Sequence, residues 1–203
     1  MCSHYEAPSP ERLKQAFGVA VAPGAQIELW PGYRGSFLRE LEGEIQAETG
    51  VFGLLPGWAK DEKLARRTYN ARSETAAEKP SFRSAWRHAR HCVIPAVAIY
   101  EPDWRSGKAV PTRIERRDGG LLLIAGLWES WQNPAGLQVL SYSMLTVNAD
   151  QHPLMSQYHR PTDEKRMVVI LPSSQVEAWL RAPANESQAF LQQYPADRLC
   201  ALP

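Results

Sequence analysis

The sequence predicts an α+β fold, a single domain over residues 1–203 built on antiparallel or mixed β-sheet with a barrel-like core and flanking short helices. Three observations predict it. Strand-like runs outnumber helical ones. No regular alternation of strand and helix is visible. Sixteen prolines among 203 residues cut the chain into short elements.

The elements follow in order. Glu11–Phe17 reads as a short helix after Pro10, and Gln26–Trp30 as a strand after the Ala22-Pro23-Gly24 turn. Phe37–Leu55 contains two or three strands, broken at Gly43 and Gly50. Pro80–Ala89 is expected to be helical, with Pro80 and Ser81 at its start. Val93–Tyr100, Val110–Arg116, Leu121–Trp128, Leu137–Val147 and Met167–Leu171 are rich in Val, Ile and Leu, as strands are. Ser173 is placed to cap a helix Gln175–Arg181, and Ser187–Gln193 is a further helix candidate.

Composition excludes several classes. With 44% hydrophobic residues the chain is not disordered. Its longest apolar run, Leu121–Trp128, is far shorter than the roughly 20 residues of a membrane helix. The start, Met1-Cys2-Ser3-His4-Tyr5-Glu6, lacks the basic and apolar stretches of a signal peptide, so a cytoplasmic protein is expected. Three distant cysteines, Cys2, Cys92 and Cys200, then read as thiols. The net charge is +1, but it is unevenly placed. Residues 60–117 hold 14 Lys and Arg against 7 Asp and Glu, a net of +7, which leaves −6 for the rest. A basic segment of this kind fits a phosphate backbone.

The sharpest chemical feature is Cys2, directly after the initiator Met. Removal of Met1 leaves an α-amine and a thiol on adjacent carbons. Their ordinary pKa values, near 7.7–8.0 and about 8.5, give both a nucleophilic fraction near neutral pH. Such an aminothiol condenses with an aldehyde to an imine, and the sulfur then closes a five-membered thiazolidine ring.

Further motifs surround it. They are Gly53-Leu54-Leu55-Pro56-Gly57-Trp58, Asn70-Ala71-Arg72-Ser73-Glu74-Thr75, His91-Cys92-Val93-Ile94-Pro95-Ala96 and Tyr100-Glu101-Pro102-Asp103-Trp104. Ala125-Gly126-Leu127-Trp128-Glu129-Ser130-Trp131 follows, and His159 precedes Arg166-Met167. With Met1-Cys2, this ordered set resembles the SOS response-associated peptidase family from Cys2 to about Leu171. The resemblance implies one α+β domain that holds the N-terminal Cys in a DNA-binding cleft. It implies binding of single-stranded DNA and covalent trapping of abasic sites, whose ring-opened sugar is an aldehyde. It also implies self-removal of Met1, the peptidase activity of the family name. No metal or cofactor is implied. A monomer is expected, associated with the nucleoid when bound to DNA.

By the same resemblance Cys2 is the nucleophile. Asn70 orients it, since an amide donates and accepts without changing charge. Glu101 is a general acid and base, a role that calls for a buried carboxyl. His159 protonates the sugar oxygen and assists imine formation, with His152 as its competitor seven residues earlier. Arg72 is a phosphate ligand, and Trp58 a base-stacking or core residue. Arg83, Arg160 and His4 complete the DNA-binding set. Arg83, Arg87 and Arg90 fall on one face of the expected helix, as a backbone tracker or a solvated face.

The chain departs from the family pattern in places. Ser3-His4 replaces Gly-Arg, Ala20 stands at an Asn position before Val21-Ala22-Pro23-Gly24, and Phe52 replaces a common Trp. Pro161–Lys165 intervenes between His159 and Arg166-Met167. These departures touch DNA affinity more than chemistry. The rival functions are a metal site from His88, His91 and Cys92 with Cys2 or His4, a thiol autopeptidase or peptidase using Cys2 and His159 with no DNA role, and a non-catalytic single-strand binder.

Overall fold

Alternating and continuous apolar runs become a sheet-dominated molecule in the computed structural model, which describes residues 2–21 and 24–202. In chain order the first elements are β1 (His4–Glu6), α1 (Pro10–Phe17), β2 (Glu28–Leu29), β3 (Arg34–Leu41) and β4 (Glu44–Phe52). Then come α2 (Ala65–Thr68), β5 (Asn70–Arg72), α3 (Arg83–Arg87), β6 (His91–Ala96), β7 (Ala98–Asp103) and β8 (Val110–Arg116). The longest strands, β9 (Leu122–Gln132) and β10 (Gln138–Asn148), form a hairpin, and β11 (Arg166–Val168), α4 (Val176–Arg181) and β12 (Leu199–Leu202) end the chain.

Five strands close on themselves. The ring runs β10-β4-β3-β6-β9 and returns to β10. All its pairings are antiparallel except β10 with β4. β5 joins β10 in parallel, Asn70 opposite Met144, and β11 joins it antiparallel. The second sheet runs β12-β8-β7-β1-β2. The α+β class with a barrel-like mixed sheet and short helices is therefore what the molecule has.

Aromatic packing joins the two sheets. Tyr5 of β1 meets Tyr142 of β10 through their hydroxyls at 2.5 Å, in full burial. Tyr5 packs edge-on to Phe52 at 5.2 Å, and Phe52 stacks on Tyr142 at 5.6 Å. A fully buried aromatic side chain contributes about 1.5–3 kcal/mol from transfer alone. Phe52 thus packs against both Tyr5 of β1 and Tyr142 of β10. On the outer face of β1, His4 lies between Trp30 and Tyr100, with ring centroids 4.0 and 4.2 Å away. Its Nε2 is 2.5 Å from Glu28.

Several element boundaries differ from expectation, each for a local reason. Helix α1 is as expected: Pro10 fits its first turn, Ser9 accepts from the Arg12 N–H at 3.3 Å, and the Gly18 N–H closes it on Lys14. Gly50 does not break β4. It sits where a Cβ would lie 2.8 Å from the Phe37 ring and 2.9 Å from the Leu140 carbonyl, so glycine serves close packing there. The strand expected at Val93–Tyr100 splits at Val97, whose N–H leaves the barrel ladder for the Glu6 carbonyl at 2.7 Å.

Helix α3 is only Arg83–Arg87, and neither Ser81 nor any other side chain caps it. Ser173 does not cap α4 either; it begins a 3-10 turn, Ser173–Gln175, after Pro172. The expected helix Ser187–Gln193 is a 3-10 helix, Ala184–Phe190. Gln26–Trp30 keeps only β2, and Met167–Leu171 keeps β11 plus a bridge between Ile170 and Ile124. The turn expected at Ala22-Pro23-Gly24 runs through Ala22 and Pro23, which lie outside the described residues, as does Met1. No described helix is long and apolar enough to cross a membrane.

Candidate active site

Between β7 and the edge strand β2 of the second sheet lies β1. Cys2, just before it, is 1% exposed, and its thiol faces the His4 carbonyl at 3.5 Å. Burial and the Glu101 carboxylate push the Cys2 thiol well above its usual range, against backbone hydrogen bonds at His4 and Tyr100. The register of β1 on β7, with His4 opposite Tyr100, runs Cys2 toward the stretch of β7 that carries Glu101.

Strand β5 supplies Asn70, whose Nδ2 donates to the Cys2 carbonyl at 2.9 Å. Its Oδ1 is buried with no hydrogen-bond partner among the described residues. The parallel pairing of β5 with β10 fixes this side chain, 68 positions from Cys2 in sequence.

Glu101 and His159 meet at 2.7 Å, Oε2 to Nε2. β7 carries Glu101. His159 follows a 3-10 turn, Met155–Gln157, and its N–H donates to the Pro102 carbonyl at 2.9 Å. Its φ of +65° is uncommon for a residue with a side chain. A bridge between Tyr158 and Asp103 holds this segment to the end of β7. His152, the competitor, is spoken for: its Nε2 faces the Tyr194 carbonyl at 2.8 Å and its Nδ1 accepts from Leu154 and Met155.

A cleft of about 600 Å³ opens beside the pair. Ser3, Tyr69, Pro102, Trp104 and His159 line one part, and Arg72, Arg160, Glu164 and Arg166 another. Of the four central residues only His159 lines this cleft, together with Arg72 and Arg160; Cys2, Asn70 and Glu101 are not among its lining residues and are joined as the pairs Asn70–Cys2 and Glu101–His159. Such an arrangement offers a nucleophile, an acid and base pair, and guanidinium groups for an anion.

The sequence matches the SOS response associated peptidase (SRAP) family over residues 1–203. The chain belongs to the SRAP family. It is 38% identical over 151 residues to the abasic site processing protein YoqW of Bacillus subtilis, covering 72% of this chain and 63% of that protein. It thus spans less than two thirds of that relative's length. It is 28% identical to the abasic site processing protein HMCES of Gallus gallus over 75% of this chain and 50% of that one. A solved structure of a Bordetella bronchiseptica protein is 51% identical, with a TM-score of 0.91 over 98% of both chains.

The remaining predicted residues of this SRAP chain lie elsewhere. Trp58 is 57% exposed, not core, and borders a separate groove of about 370 Å³ with Lys60, Lys63, Leu64 and Arg67. Its Nε1 donates to the Pro80 carbonyl at 3.3 Å. Arg83 and Arg87 are exposed on α3, but the helix ends before Arg90. Arg90 pairs with Glu129 and lies over the Trp128 ring, so the expected three-arginine face does not form. His4 is held in its aromatic stack and does not line the cleft.

The basic segment is dispersed and partly neutralised: Arg105 pairs with Asp103, Arg113 with Glu6 and Glu115, and Arg116 with Asp118. His91 bonds Ser187 and His88 faces the Ser84 carbonyl; among the described residues no group of His, Cys, Asp and Glu is placed to hold a metal. The three cysteines are thiols.

Sequence reasoning missed Tyr69, Trp104, Glu164 and Arg166 as cleft residues. Tyr69 adjoins Asn70 and Arg166 begins the Arg-Met segment, so proximity to the motifs marked both. Glu164 lies in the Pro161–Lys165 departure, whose position next to His159 was the available signal.

Proposed function

We propose that this SRAP chain binds single-stranded DNA and covalently traps abasic sites through Cys2, after loss of Met1, in the DNA damage response. The observation that carries it is the Glu101–His159 pair beside a buried Cys2 whose carbonyl Asn70 holds. The names of the relatives YoqW and HMCES support the same substrate.

The chemistry begins with hydrolysis of the Met1–Cys2 peptide bond, which consumes one water and frees the Cys2 amine. The amine attacks the C1′ aldehyde of a ring-opened abasic sugar, with Asn70 Oδ1 accepting a hydrogen bond from the amine N–H. That aldehyde forms beforehand, when His159 gives a proton to the ring oxygen and the C1′ hydroxyl loses one, which returns through Glu101 to His159. Loss of water from the resulting carbinolamine leaves an imine. The thiol then adds to the imine carbon, its proton passing through Glu101 to the imine nitrogen. The net change is aldehyde plus aminothiol to thiazolidine plus one water.

Burial suits the thiol to this order. It stays protonated and unreactive until a carboxylate takes its proton. Arg72 and Arg160 hold the phosphates that flank the lesion, and exposed Trp58 stacks on a neighbouring base. Arg83 on α3 extends the backbone contact, while His4 positions β1. The protein acts in the cytoplasm, on nucleoid DNA.

The test is a mixture of protein with single-stranded DNA carrying an abasic site, heated and run on a denaturing gel. A heat-stable adduct is expected, absent with intact DNA and absent for Cys2→Ala. No adduct from protein with a proven free Cys2 overturns the proposal. Hydrolysis of unrelated peptides without any adduct would instead favour a thiol peptidase.

A further inference from the structure

The Glu164 carboxylate is held by three side chains. Its Oε2 accepts from Arg72 Nη1 at 2.5 Å, and its Oε1 accepts from Arg166 Nη1 at 2.7 Å and from Asn148 Nδ2 at 3.2 Å. Two guanidinium groups and an amide thus converge on one carboxylate, as they would on the non-bridging oxygens of a phosphate. All three charged residues line the cleft beside His159.

The arrangement is asymmetric in burial. Arg166 is 2% exposed and is already held by Glu74 at 2.8 Å and by Thr146. Glu164 and Arg72 are 34% and 49% exposed, so their contact faces solvent and can open. The loop that carries Glu164 is closed by the Lys165 ammonium, which donates to the carbonyls of His159 and Arg160. Burial pushes the Glu164 carboxyl up, but its bonds to Arg166 and Asn148 outweigh that and hold it below the usual carboxylate range.

We propose that Glu164 is a built-in phosphate mimic, an autoinhibitory carboxylate that DNA must displace from Arg72 before the strand can settle in the cleft. The inference rests on the DNA-binding function proposed above. The displaced carboxylate stays near the backbone and opposes it, so every strand binds more weakly by a common factor. Covalent trapping is unaffected once it has occurred. The common factor shortens occupancy of intact strands, while a trapped lesion stays bound through its covalent link.

The test measures equilibrium binding of a fluorescent single strand that carries a tetrahydrofuran abasic analogue, which has no aldehyde and cannot be trapped. Wild type, Glu164→Gln and Asp163→Asn are compared across a salt series. Asp163 lines the same cleft and has the same charge, but its side chain makes no bond to Arg72 or Arg166 among the described contacts. Glu164→Gln is expected to bind about fivefold more tightly, with a log–log salt slope steeper by about 0.7, the value for one more phosphate neutralised on a single strand. Asp163→Asn is expected to gain less than twofold. In an Arg72→Gln background the gain from Glu164→Gln shrinks by at least half.

Wild-type binding with no gain from Glu164→Gln, or an equal gain from Asp163→Asn, overturns the inference and leaves the proposed function standing. Absence of binding by all proteins overturns the DNA-binding function, and the inference with it. Thermal melting of each variant confirms that the fold is intact when affinity is compared.

Discussion

Glu101 and His159 share a 2.7 Å contact across 58 positions of sequence, and their side chains are only 1% and 7% exposed. A carboxylate and an imidazole so placed share a direct hydrogen bond, the geometry that general acid–base chemistry requires. The pair is positioned twice over. β7 holds Glu101 opposite Thr112 of β8, and the Pro102 carbonyl holds the His159 backbone.

Glu101→Gln keeps the shape and a hydrogen bond to His159 but cannot carry a proton. Single-turnover trapping of abasic single-stranded DNA is expected to slow by about 10² or more, in line with general acid–base contributions. Thermal melting should move by only a few degrees. A trapping rate equal to wild type would remove Glu101 from the chemistry.

Asn70 distinguishes donation from charge. Asn70→Ala loses one hydrogen bond to the Cys2 carbonyl, worth about 1 kcal/mol, and trapping is expected to slow several-fold. Asn70→Asp is expected to be slower still, because a carboxylate only accepts and would face a carbonyl oxygen. Measured rates in the order wild type, Ala, Asp support the role. An Asp variant as fast as wild type contradicts it.

Gly35 of β3 tests the junction of the two sheets. A Cβ there would lie 2.8 Å from the Tyr5 hydroxyl and 2.7 Å from Leu29, and would collide with the Tyr142 hydroxyl. Gly35→Ala is expected to cost about 2–3 kcal/mol by overpacking. At this chain length that lowers Tm by about 5–10 °C, read by calorimetry. An unchanged Tm would mean that the Tyr5–Tyr142 contact is loose.

His91 sets an acid limit on stability. Buried against Trp179 with a ring separation of 3.9 Å, it is pushed down from 6.5 to about 4 by burial. The unfolded chain binds this proton as pH falls through 6.5, whereas the folded chain waits until about 4. His91 thus contributes stability above its unfolded value, and acidification removes it. Urea unfolding is expected to lose about 2 kcal/mol between neutral pH and about pH 5 from this residue. His91→Gln should flatten that loss even if its overall stability is lower. An equal loss in the variant would place the acid sensitivity elsewhere.

Much of this was legible because apolar content and motif order are local. The runs behind β8, β9 and β10 are visible as Val, Ile and Leu segments, and Cys2, Asn70, Glu101 and His159 sit inside short motifs. β1 and β5 are not visible, since three residues each have no period; distant partners, Tyr100 opposite His4 and Met144 opposite Asn70, create them. The expected arginine face failed because α3 ends after five residues and Glu129 claims Arg90. The Pro161–Lys165 departure marked the segment of Glu164, but not its contact with Arg72, 92 positions away.

The most direct measurement is the intact mass of the heat-stable adduct between protein and abasic single-stranded DNA, for wild type and for Cys2→Ser. The account predicts a wild-type mass equal to protein without Met1 plus DNA less one water, formed without any reducing agent. It predicts that Cys2→Ser gives an imine that survives heating only after borohydride reduction. A wild-type adduct that retains Met1, or a Cys2→Ser adduct equally stable without reduction, would contradict capture by the Cys2 aminothiol.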